Sequence, residues 1–467
     1  MVNRDFDVIV VGGGAAGENA GDRAARDGLE LGIVEKDLLG GECSYWACMP
    51  SKALLRPGEV LASVRRVPGA AEAVTGDIDI AAALKRRDRL AANWDDASQV
   101  EWAEGAGMRI VRGHGRLRGE RRVAVTASDG RVTEYEAAKA IVVATGTAAA
   151  MPDLPGLDEV DVWDNRNAAR TNVVPRRLVV LGGGVVGVEM AQAMKTLGSD
   201  EVTIVEMEER LVPTQEPAAS EALTEALTRR GIVVRTNASA ERLARPDAKA
   251  PVTVTLDDGT AIETDELLVA IGRRPATNDL GLDTVGLQPG EYVQVDDHMC
   301  ATAVEGGWLY AVGDVNGRSL LTHSGKYQAR IAGDHIAGRP VHTTAYGDTK
   351  AEPRVIFTDP HIASVGLTAA KAEQAGITVG VVDYDIGDTA GAATHGRGIR
   401  GPCRLVIDED RRVLVGATFV GPGAGELLHA ATIAIVADVT VDELWHAIPS
   451  FPTMSEVWLR LLEAYGL

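Results

Sequence analysis

The chain has few cysteines, no long hydrophobic run and a shortage of positive charge. Four of its 467 residues are cysteine, too few for a fold held together by disulfides. No apolar run approaches the ~20 residues that a membrane-spanning helix needs. Lys and Arg number 47 against 67 Asp and Glu, which gives a net charge of -20. Such an acidic surface repels phosphate backbones and anionic lipid, so we expect neither a nucleic-acid partner nor a membrane partner.

The rest of the composition is typical of a large globular protein. Apolar residues make up 45% of the sequence and charged residues 24%. A chain of 467 residues is too long for one hydrophobic core, so we expect two to four domains. The N-terminal residues lack the basic region, the apolar stretch and the cleavage site of a targeting signal, which favours a cytoplasmic location.

A glycine-rich loop follows the first apolar run of the chain. Residues 8–11 are all apolar, as in a parallel strand that is buried on both faces. The pattern Gly12-x-Gly14-x-x-Gly17 comes next, followed by an Ala-rich helical stretch, a second apolar strand and Glu35. This order predicts a βαβ unit that binds a dinucleotide.

The same unit occurs a second time. Residues 178–181 form an apolar strand that leads into Gly182-x-Gly184-x-x-Gly187, a helix, another strand and Glu206. A single glycine pattern is weak evidence, but two copies in the same strand–loop–helix–strand–acid context are specific. The sequence therefore predicts two dinucleotide sites.

Each part of the pattern has a physical reason. A helix N-terminus carries unpaired N–H groups and a partial positive charge, so it binds pyrophosphate. The three glycines permit the tight turn, the approach of the phosphate and the packing of helix on strand. The terminal acid accepts hydrogen bonds from ribose hydroxyls. At Glu206 a carboxylate would repel a 2′-phosphate, and only Arg210 is a nearby cation, so NADH is favoured over NADPH.

Three further apolar strands end in glycine turns. The first ends at Thr145-Gly146, the second at Gly272 and the third at Gly313-Asp314. Such turns are expected where a strand leaves a nucleotide domain. From about residue 351 the sequence alternates as strands do and then becomes helical, which predicts a separate α+β domain.

A cysteine pair, Cys43 and Cys48, follows the first βαβ unit. The C-x4-C spacing puts the sulfurs about one helical turn apart, close enough to bridge after local adjustment. Two buried neighbours or half of a zinc site are the alternatives, but no second ligand pair has matching spacing. Beside a nucleotide loop, a redox-active pair is the favoured interpretation. Cys300 and Cys403 stand alone and are interpreted as ordinary thiols.

Together these motifs resemble the class I pyridine nucleotide-disulfide oxidoreductases, the family of glutathione reductase, dihydrolipoamide dehydrogenase and mercuric reductase. The likeness runs the length of the chain and is most specific around Cys43. It implies an α/β fold with two Rossmann-like nucleotide domains and a C-terminal α+β dimerisation domain. The implied ranges are 1–155 with 276–350 for FAD, 156–275 for NAD(P)H and 351–467 for the interface of a homodimer.

The resemblance also assigns roles to individual residues. Cys48 would be the thiol near the flavin, and Cys43 would attack the substrate. Lys52 and Glu189 match an ion pair beside the flavin, and Asp314 matches the acid that binds the FAD ribityl chain. No metal is implied.

The C-terminal block departs from the family pattern. Where the family has His-Pro-Thr-x-Ser-Glu, this chain has Phe451-Pro452-Thr453-Met454-Ser455-Glu456. Phe451 cannot move a proton, and loss of a positioned acid/base typically costs about 10²- to 10⁴-fold. His446 or Tyr45 could substitute, the acceptor could need no acid, or a disulfide substrate could have a good leaving group. We retain Glu456 among the catalytic candidates.

The sequence therefore predicts an FAD- and NAD(P)H-dependent oxidoreductase that reduces a small-molecule electron acceptor other than lipoamide or glutathione. Three alternatives stay open. The first is a conventional dihydrolipoamide dehydrogenase, the second a quinone or other direct-acceptor reductase that bypasses the disulfide, and the third a non-catalytic FAD/NADH redox sensor.

Overall fold

The computed structural model describes three stretches of the chain, residues 3–247, 250–339 and 346–467. The chain forms two compact units, each assembled from three separate stretches. The first unit combines residues 1–50, 88–149 and 273–349, and the second combines residues 51–87, 150–272 and 350–467. None of the helices in these described stretches is long and apolar enough to span a lipid bilayer.

The strands of the described residues are, in chain order, β1 (Asn3–Val11), β2 (Leu31–Glu35), β3 (Met108–Arg112), β4 (His114–Leu117), β5 (Arg122–Thr126), β6 (Val132–Val143), β7 (Thr147–Ala149), β8 (Arg177–Leu181), β9 (Glu201–Val205), β10 (Ile232–Arg235), β11 (Ala240–Ala244), β12 (Val252–Leu256), β13 (Ala261–Thr264), β14 (Glu266–Val269), β15 (Arg273–Pro275), β16 (Leu309–Ala311), β17 (Pro353–Ile356), β18 (Ile362–Gly366), β19 (Val379–Asp385), β20 (Pro402–Asp408) and β21 (Val413–Val420).

The α-helices of the same residues are α1 (Ala15–Ala25), α2 (Gly41–Tyr45), α3 (Cys48–Arg65), α4 (Ile80–Leu90), α5 (Ala97–Gly105), α6 (Asn165–Arg170), α7 (Val185–Thr196), α8 (Pro217–Arg229), α9 (Thr322–Ile336), α10 (Gly347–Lys350), α11 (Ala369–Gln374), α12 (Ala390–His395), α13 (Ala424–Val436), α14 (Val441–Trp445) and α15 (Glu456–Tyr465).

One mixed sheet organises the first unit. Its strand order is β3-β2-β1-β6-β5-β4, and β16 pairs with β6. β1 runs parallel to β2 and β6, and its side chains from Val8 to Val11 are buried on both faces of the sheet. Helices α1 and α9 cover the face that contains Val8 and Val10. The register pairs Val11 with both Val34 and Val143, so the carboxyl ends of these strands lie at one edge of the sheet, where nucleotides bind in such folds.

The second unit contains a parallel sheet of the same kind. Its order is β10-β9-β8-β14, and Leu181 pairs with both Val205 and Val269 at the carboxyl ends. The antiparallel strands β11, β12 and β13 form a separate small sheet. The C-terminal part is a five-stranded antiparallel sheet in the order β17-β18-β21-β20-β19. Its core joins strand residues such as Phe419 to helix residues such as Leu428 and Leu461.

The predicted strands and helices are present, with two instructive differences. β6 begins at Val132, well before the apolar run at 140–144, because its first half pairs antiparallel with β5 and is only half-buried. The cysteine block is not one continuous helix, since the backbone leaves the helical region at Trp46 between α2 and α3. The three-domain boundaries stay a prediction; the predicted range 351–467 and all but the last three residues of the range 156–275 lie within the second unit.

Candidate active site and nucleotide loops

The first glycine loop is held in a conformation that only glycine can adopt. Gly12 has φ +104°, and a Cβ there would lie 2.5 Å from the carbonyl oxygen of Ala144. A Cβ at Gly17 would lie 1.9 Å from the carbonyl oxygen of Gly12. Both distances are far below a van der Waals contact, so these two glycines are required by the fold itself.

The middle glycine of the loop has a different reason. A Cβ at Gly14 would have its nearest neighbour 3.9 Å away, in ordinary contact. Gly14 precedes α1, and no side chain among the described residues caps that helix, so its first-turn N–H groups have no side-chain acceptor. A cradle of this shape with a positive partial charge fits a pyrophosphate, as the FAD prediction requires.

Glu35 holds the loop in place. Its Oε2 accepts the N–H of Gly13 at 2.7 Å, and its Oε1 accepts the N–H of Asp37 at 2.7 Å. Burial raises the pKa of this carboxyl, while the two backbone N–H groups act in the opposite direction. Glu35 therefore fixes the loop as well as presenting a carboxylate at the position predicted for a ribose.

Polar groups from two other strand ends lie at the same edge of this sheet. Thr147 donates to Asp314 Oδ2 at 2.7 Å, and Arg273 donates to the Thr147 hydroxyl at 2.6 Å. Burial raises the pKa of Asp314. The hydroxyl of Thr145 is buried without a hydrogen-bond partner among the described residues, and Gly146 follows at φ +69°. An unpaired buried hydroxyl at the same sheet edge as a half-buried acid and the Gly313 turn fits a polar ligand such as FAD.

The second glycine loop repeats this construction closely. A Cβ at Gly182 would lie 2.4 Å from the carbonyl oxygen of Ala270, and one at Gly187 would lie 2.0 Å from that of Gly182. Gly184 has open space around its Cβ position and precedes the uncapped helix α7. Glu206 Oε2 accepts the N–H of Gly183 at 2.6 Å, and Oε1 accepts that of Glu208 at 2.9 Å. This loop also fits a pyrophosphate.

The surroundings of Glu206 are negative. Arg210 is bound to Glu209 and to the carbonyl oxygens of Pro213 and Gln215. Its guanidinium is thus engaged by its own loop. Gly272 lies between β14 and β15 with φ +135°. Its carbonyl oxygen accepts the N–H of Ala150 at 3.0 Å.

The two cysteines lie on adjoining helices and contact each other. Cys43 belongs to α2, and Cys48 is the first residue of α3. Both are free thiols whose side chains share a hydrogen bond. Cys48 Sγ also lies 3.3 Å from the hydroxyl of Thr322, the first residue of α9. The hydrogen bond with Cys48 and burial raise the pKa of the Cys43 thiol.

Two residues near this pair were missed by sequence reasoning. Thr322 hydrogen-bonds to the pair, and Lys326 lies one turn further along α9; both act to lower the pKa of Cys43. Thr322 is 274 positions from Cys48, and no motif links the two. A Thr four residues before a Lys at the start of a helix was the only available signal.

Lys52 and Glu189 form an ion pair in the second unit. Lys52 Nζ lies 2.8 Å from Glu189 Oε2, and the Glu189 side chain is only 3% exposed. The other carboxylate oxygen accepts the N–H of Phe357 at 2.9 Å, and Lys52 also lies 4.9 Å from the centre of the Phe357 ring. The ion pair that the resemblance implied is thus formed, and its place beside a flavin stays a prediction.

The C-terminal block offers no acid/base group that is free to act. Phe451 is 75% exposed. Glu456 accepts the N–H of Ala390 at 2.9 Å and is paired with Arg460 at 2.8 Å, so both of its oxygens hold the local fold. His446 caps the C-terminus of α14 and is exposed.

Tyr45, the other candidate proton donor, is buried. Its hydroxyl donates to the carbonyl oxygen of Leu39 at 2.9 Å, and burial raises the pKa of this phenol to about 12. Trp46 packs against it, with ring centres 5.6 Å apart. Tyr45 and Trp46 therefore serve packing in the first unit, and neither is placed to give up a proton.

Comparison with known proteins shows the family of the chain. Residues 6–332 match the pyridine nucleotide-disulphide oxidoreductase family, and residues 352–461 match the dimerisation domain of that family. Dihydrolipoyl dehydrogenase of Chlorobaculum tepidum is 35% identical over 97% of this chain and 95% of its own. Mercuric reductase of Staphylococcus aureus is 29% identical over 97% of this chain and 81% of its own. The crystal structure of LpdA from Mycobacterium tuberculosis superposes with a TM-score of 0.85 at 28% identity, covering 98% of this chain and 100% of that one.

The chain belongs to the pyridine nucleotide-disulphide oxidoreductase family. It is an enzyme, an FAD-dependent oxidoreductase that uses a nicotinamide nucleotide. The predicted family, fold class and enzyme class are confirmed, and the dimerisation domain supports the predicted homodimer.

Proposed function

We propose that this enzyme passes electrons from NADH to the Cys43–Cys48 pair and on to an acceptor other than lipoamide or glutathione. The observation that carries the proposal is the contact between the two thiols, which share a hydrogen bond across the break between α2 and α3. Thiols in contact can close and open a disulfide with little movement, provided that their geometry allows it.

The electron and proton balance is simple. NADH gives a hydride and becomes NAD⁺, solvent gives a proton, and the bond between the two sulfurs breaks to leave two thiols. FAD, when bound, supplies the two-electron carrier between nicotinamide and sulfur. Closing the disulfide again returns two electrons and two protons to the acceptor. Thr322 contacts Cys48 at 3.3 Å, and the neighbouring Cys48 and burial favour the protonated form of Cys43.

The preference for NADH is part of the proposal. Glu206 occupies the position of the ribose-binding acid, with Glu208 and Glu209 beyond it. Since Arg210 is engaged by Glu209 and by backbone carbonyl groups, it is poorly placed to bind a 2′-phosphate. A dinucleotide with a free 2′-hydroxyl suits this surface better than one with a phosphate.

The nature of the acceptor follows from the missing acid/base. Phe451 stands where the family pattern has histidine, and Glu456 is committed to Ala390 and Arg460. Disulfide exchange needs a proton for the leaving thiolate, which Phe451 cannot give. An acceptor whose reduction by the cysteine pair does not depend on that proton suits the site better than lipoamide or glutathione.

An anaerobic titration of the FAD-loaded enzyme with NADH tests electron entry. We expect the wild type to consume two equivalents of NADH per chain and to expose two new thiols. Cys48→Ser should consume one equivalent and expose none, because only the flavin then accepts electrons. If the wild type behaves like Cys48→Ser, electrons leave from the flavin, and the direct-acceptor alternative replaces the proposal.

Substitution of Phe451 tests the choice of acceptor. Phe451→His should raise turnover of lipoamide or glutathione disulfide by about 10²-fold or more, since a positioned acid/base contributes on that scale. Phe451→Leu is the matched control, because it changes the side chain without adding a proton donor. Equal rates for the two variants would show that this position does not limit disulfide reduction.

A further inference from the structure

A buried glutamine, Gln328, holds the turn that carries Asp314. Strand β16 ends at Ala311, and a 3₁₀ turn over residues 313–316 follows it. The first N–H of this turn, that of Gly313, donates to Gln328 Oε1 at 2.9 Å. Gln328 belongs to α9 and is fully buried. Its amide oxygen therefore fixes the backbone immediately before the acid that is expected to bind FAD.

A second contact ties the far end of the turn to the same oxygen. Asn316 is the last residue of the turn and is buried. Its Nδ2 donates to Gln328 Oε1 at 2.9 Å and to the carbonyl oxygen of Ala311 at 3.0 Å. One side-chain oxygen thus holds both ends of the turn, and Asp314 lies between them.

Asp348 sets the orientation of the Gln328 amide. Gln328 Nε2 donates to Asp348 Oδ2 at 2.8 Å, and the side chain of Asp348 is fully buried. Arg318 balances this buried charge, with Nε 3.0 Å from Asp348 Oδ2, and its Nη1 lies 3.0 Å from Asp297 Oδ1. A carboxylate only accepts hydrogen bonds, whereas the N–H of Gly313 only donates. The amide nitrogen must therefore face Asp348, which leaves the amide oxygen for the turn.

The turn also adjoins the cradle that fits pyrophosphate. Gly313 has φ +77°, and a Cβ there would lie 3.0 Å from the Cβ of Ala16 in the first turn of α1. On the other side, a Cβ at Gly325 of α9 would lie 3.1 Å from the Cα of Gly313. Since the turn packs closely between these two helices, its position decides where Asp314 lies relative to the N-terminus of α1.

We propose that Gln328 and Asp348 are positioning residues for FAD. Asp348 orients the amide, the amide holds the turn, and the turn presents Asp314 to the Thr147 hydroxyl, which donates to it at 2.7 Å. FAD then meets an acid that is already in place, so its binding requires less ordering of the chain. The inference goes beyond the proposed electron path through the cysteines and rests on the expected role of Asp314 in binding FAD.

Release of FAD from the loaded enzyme tests the inference without turnover. When FAD-loaded protein is diluted, the fluorescence of the released flavin gives the dissociation constant of FAD. Gln328→Leu should raise this constant about ten-fold, because the N–H of Gly313 loses its acceptor and the turn relaxes towards water once FAD has left. Asp314→Ala should also raise it and is the positive control for the role of that acid.

Gln328→Glu distinguishes an oriented amide from simple packing. A protonated glutamic acid can donate to Asp348 and accept the N–H of Gly313, as the amide does, whereas a carboxylate cannot donate. Relative to wild type at the same pH, this variant should bind FAD equally well near pH 5 and about ten-fold more weakly near pH 9. The double variant Gln328→Glu/Asp348→Asn exchanges the acid and the amide, so it should recover the affinity at the higher pH.

A matched control is present in the second unit. Gln192 of α7 is also buried, and its Oε1 accepts the N–H of Asp359 at 2.9 Å. Gln192→Leu removes a similar contact and should leave the release of FAD unchanged. If Gln328→Leu matches Gln192→Leu, or if the double variant binds as weakly as Gln328→Glu, the inference is wrong. An unchanged dissociation constant in Asp314→Ala would remove its premise. The proposed electron path is decided separately, by the thiol count of the NADH titration.

Discussion

The two glycine loops have the same construction up to their third glycine and then differ. In each, the first and third glycines are forced by contacts with backbone carbonyl groups, and a terminal glutamate accepts two backbone N–H groups. The residue after the third glycine is Glu18 in the first loop and Val188 in the second. Both are buried, at 7% and 0% exposure. The shared part is what a nucleotide needs, whereas the difference places a buried ionisable group in the first loop alone.

The cost of this difference is electrostatic. Val188 packs in an apolar core with other residues of the second unit. Glu18 occupies the equivalent position at the expense of burying an ionisable group, which proteins seldom do without a functional reason. A helix that carries a nucleotide loop can therefore also carry a buried carboxyl group, on which the positive charge of Lys326 acts.

The largest expected effects separate the glycines within each loop. Gly187→Ala should destabilise the second unit by ~3 kcal/mol or more, because its Cβ would meet a carbonyl oxygen at 2.0 Å. Gly184→Ala should leave the melting temperature unchanged and weaken NADH binding alone, since its Cβ has open space in the free protein. Melting curves and fluorescence titration with NADH distinguish the two outcomes.

The same pair of substitutions in the first loop checks the comparison. Gly17→Ala should destabilise the first unit, whereas Gly14→Ala should mainly reduce FAD content. Should Gly184→Ala and Gly14→Ala melt as low as Gly187→Ala and Gly17→Ala, the middle glycines would serve the fold rather than the ligand.

The next effect concerns stability against pH and is confined to the first loop. Glu18 has a pKa raised from 4.5 to about 7. Below pH 4.5 the carboxyl is neutral in both the folded and the unfolded chain. As pH rises towards 7, the unfolded chain ionises first, so stability falls by on the order of 3 kcal/mol over this window and levels off above it.

Glu18→Gln should remove this loss. Other carboxyl groups, such as Asp334, have a lowered pKa and give stability the opposite slope, so the useful quantity is the difference between variant and wild type. Relative to wild type, Glu18→Gln should gain stability between pH 5 and 8. Urea unfolding at these two pH values gives the comparison, and a constant difference would mean that Glu18 does not titrate in this range.

The loops themselves could be predicted from the sequence because their causes are local. A strand, three glycines at fixed spacing, a helix and an acid are contiguous, and the strict backbone geometry at Gly12 and Gly182 leaves no other choice of residue. The cysteine pair was predicted for the same reason. The break in the helix between the two cysteines was not predicted, since Trp46 gives no distinct sequence signal.

The environment of the cysteines depends on contacts between distant parts of the chain. Thr322, at the start of α9, lies 3.3 Å from Cys48 Sγ. The charge of Lys326 acts on Glu18 only because α9 packs on α1. From sequence alone Glu18 is one more acid in an acidic chain. The one clue available was a comparison of the two glycine loops. The first loop has a charged residue, Glu18, where the second has an apolar residue, Val188.

The smallest expected effect concerns the preference for NADH over NADPH. It compares Glu206, which ends the second glycine-loop unit, with Glu35, which ends the first. Glu206→Gln keeps the size of the side chain but removes the charge that would repel a 2′-phosphate, so the ratio of kcat/KM for NADH to that for NADPH should fall about ten-fold, or ~1.4 kcal/mol. Glu35→Gln makes the same change in the first loop and should leave the ratio as it is, even if it lowers FAD content. Both variants lose a carboxylate acceptor for a loop N–H, so loop disturbance is matched. A ratio that stays constant in Glu206→Gln would mean that another residue of the second unit selects the nucleotide, and an equal fall in Glu35→Gln would mean that the change acts through loop rigidity rather than through charge.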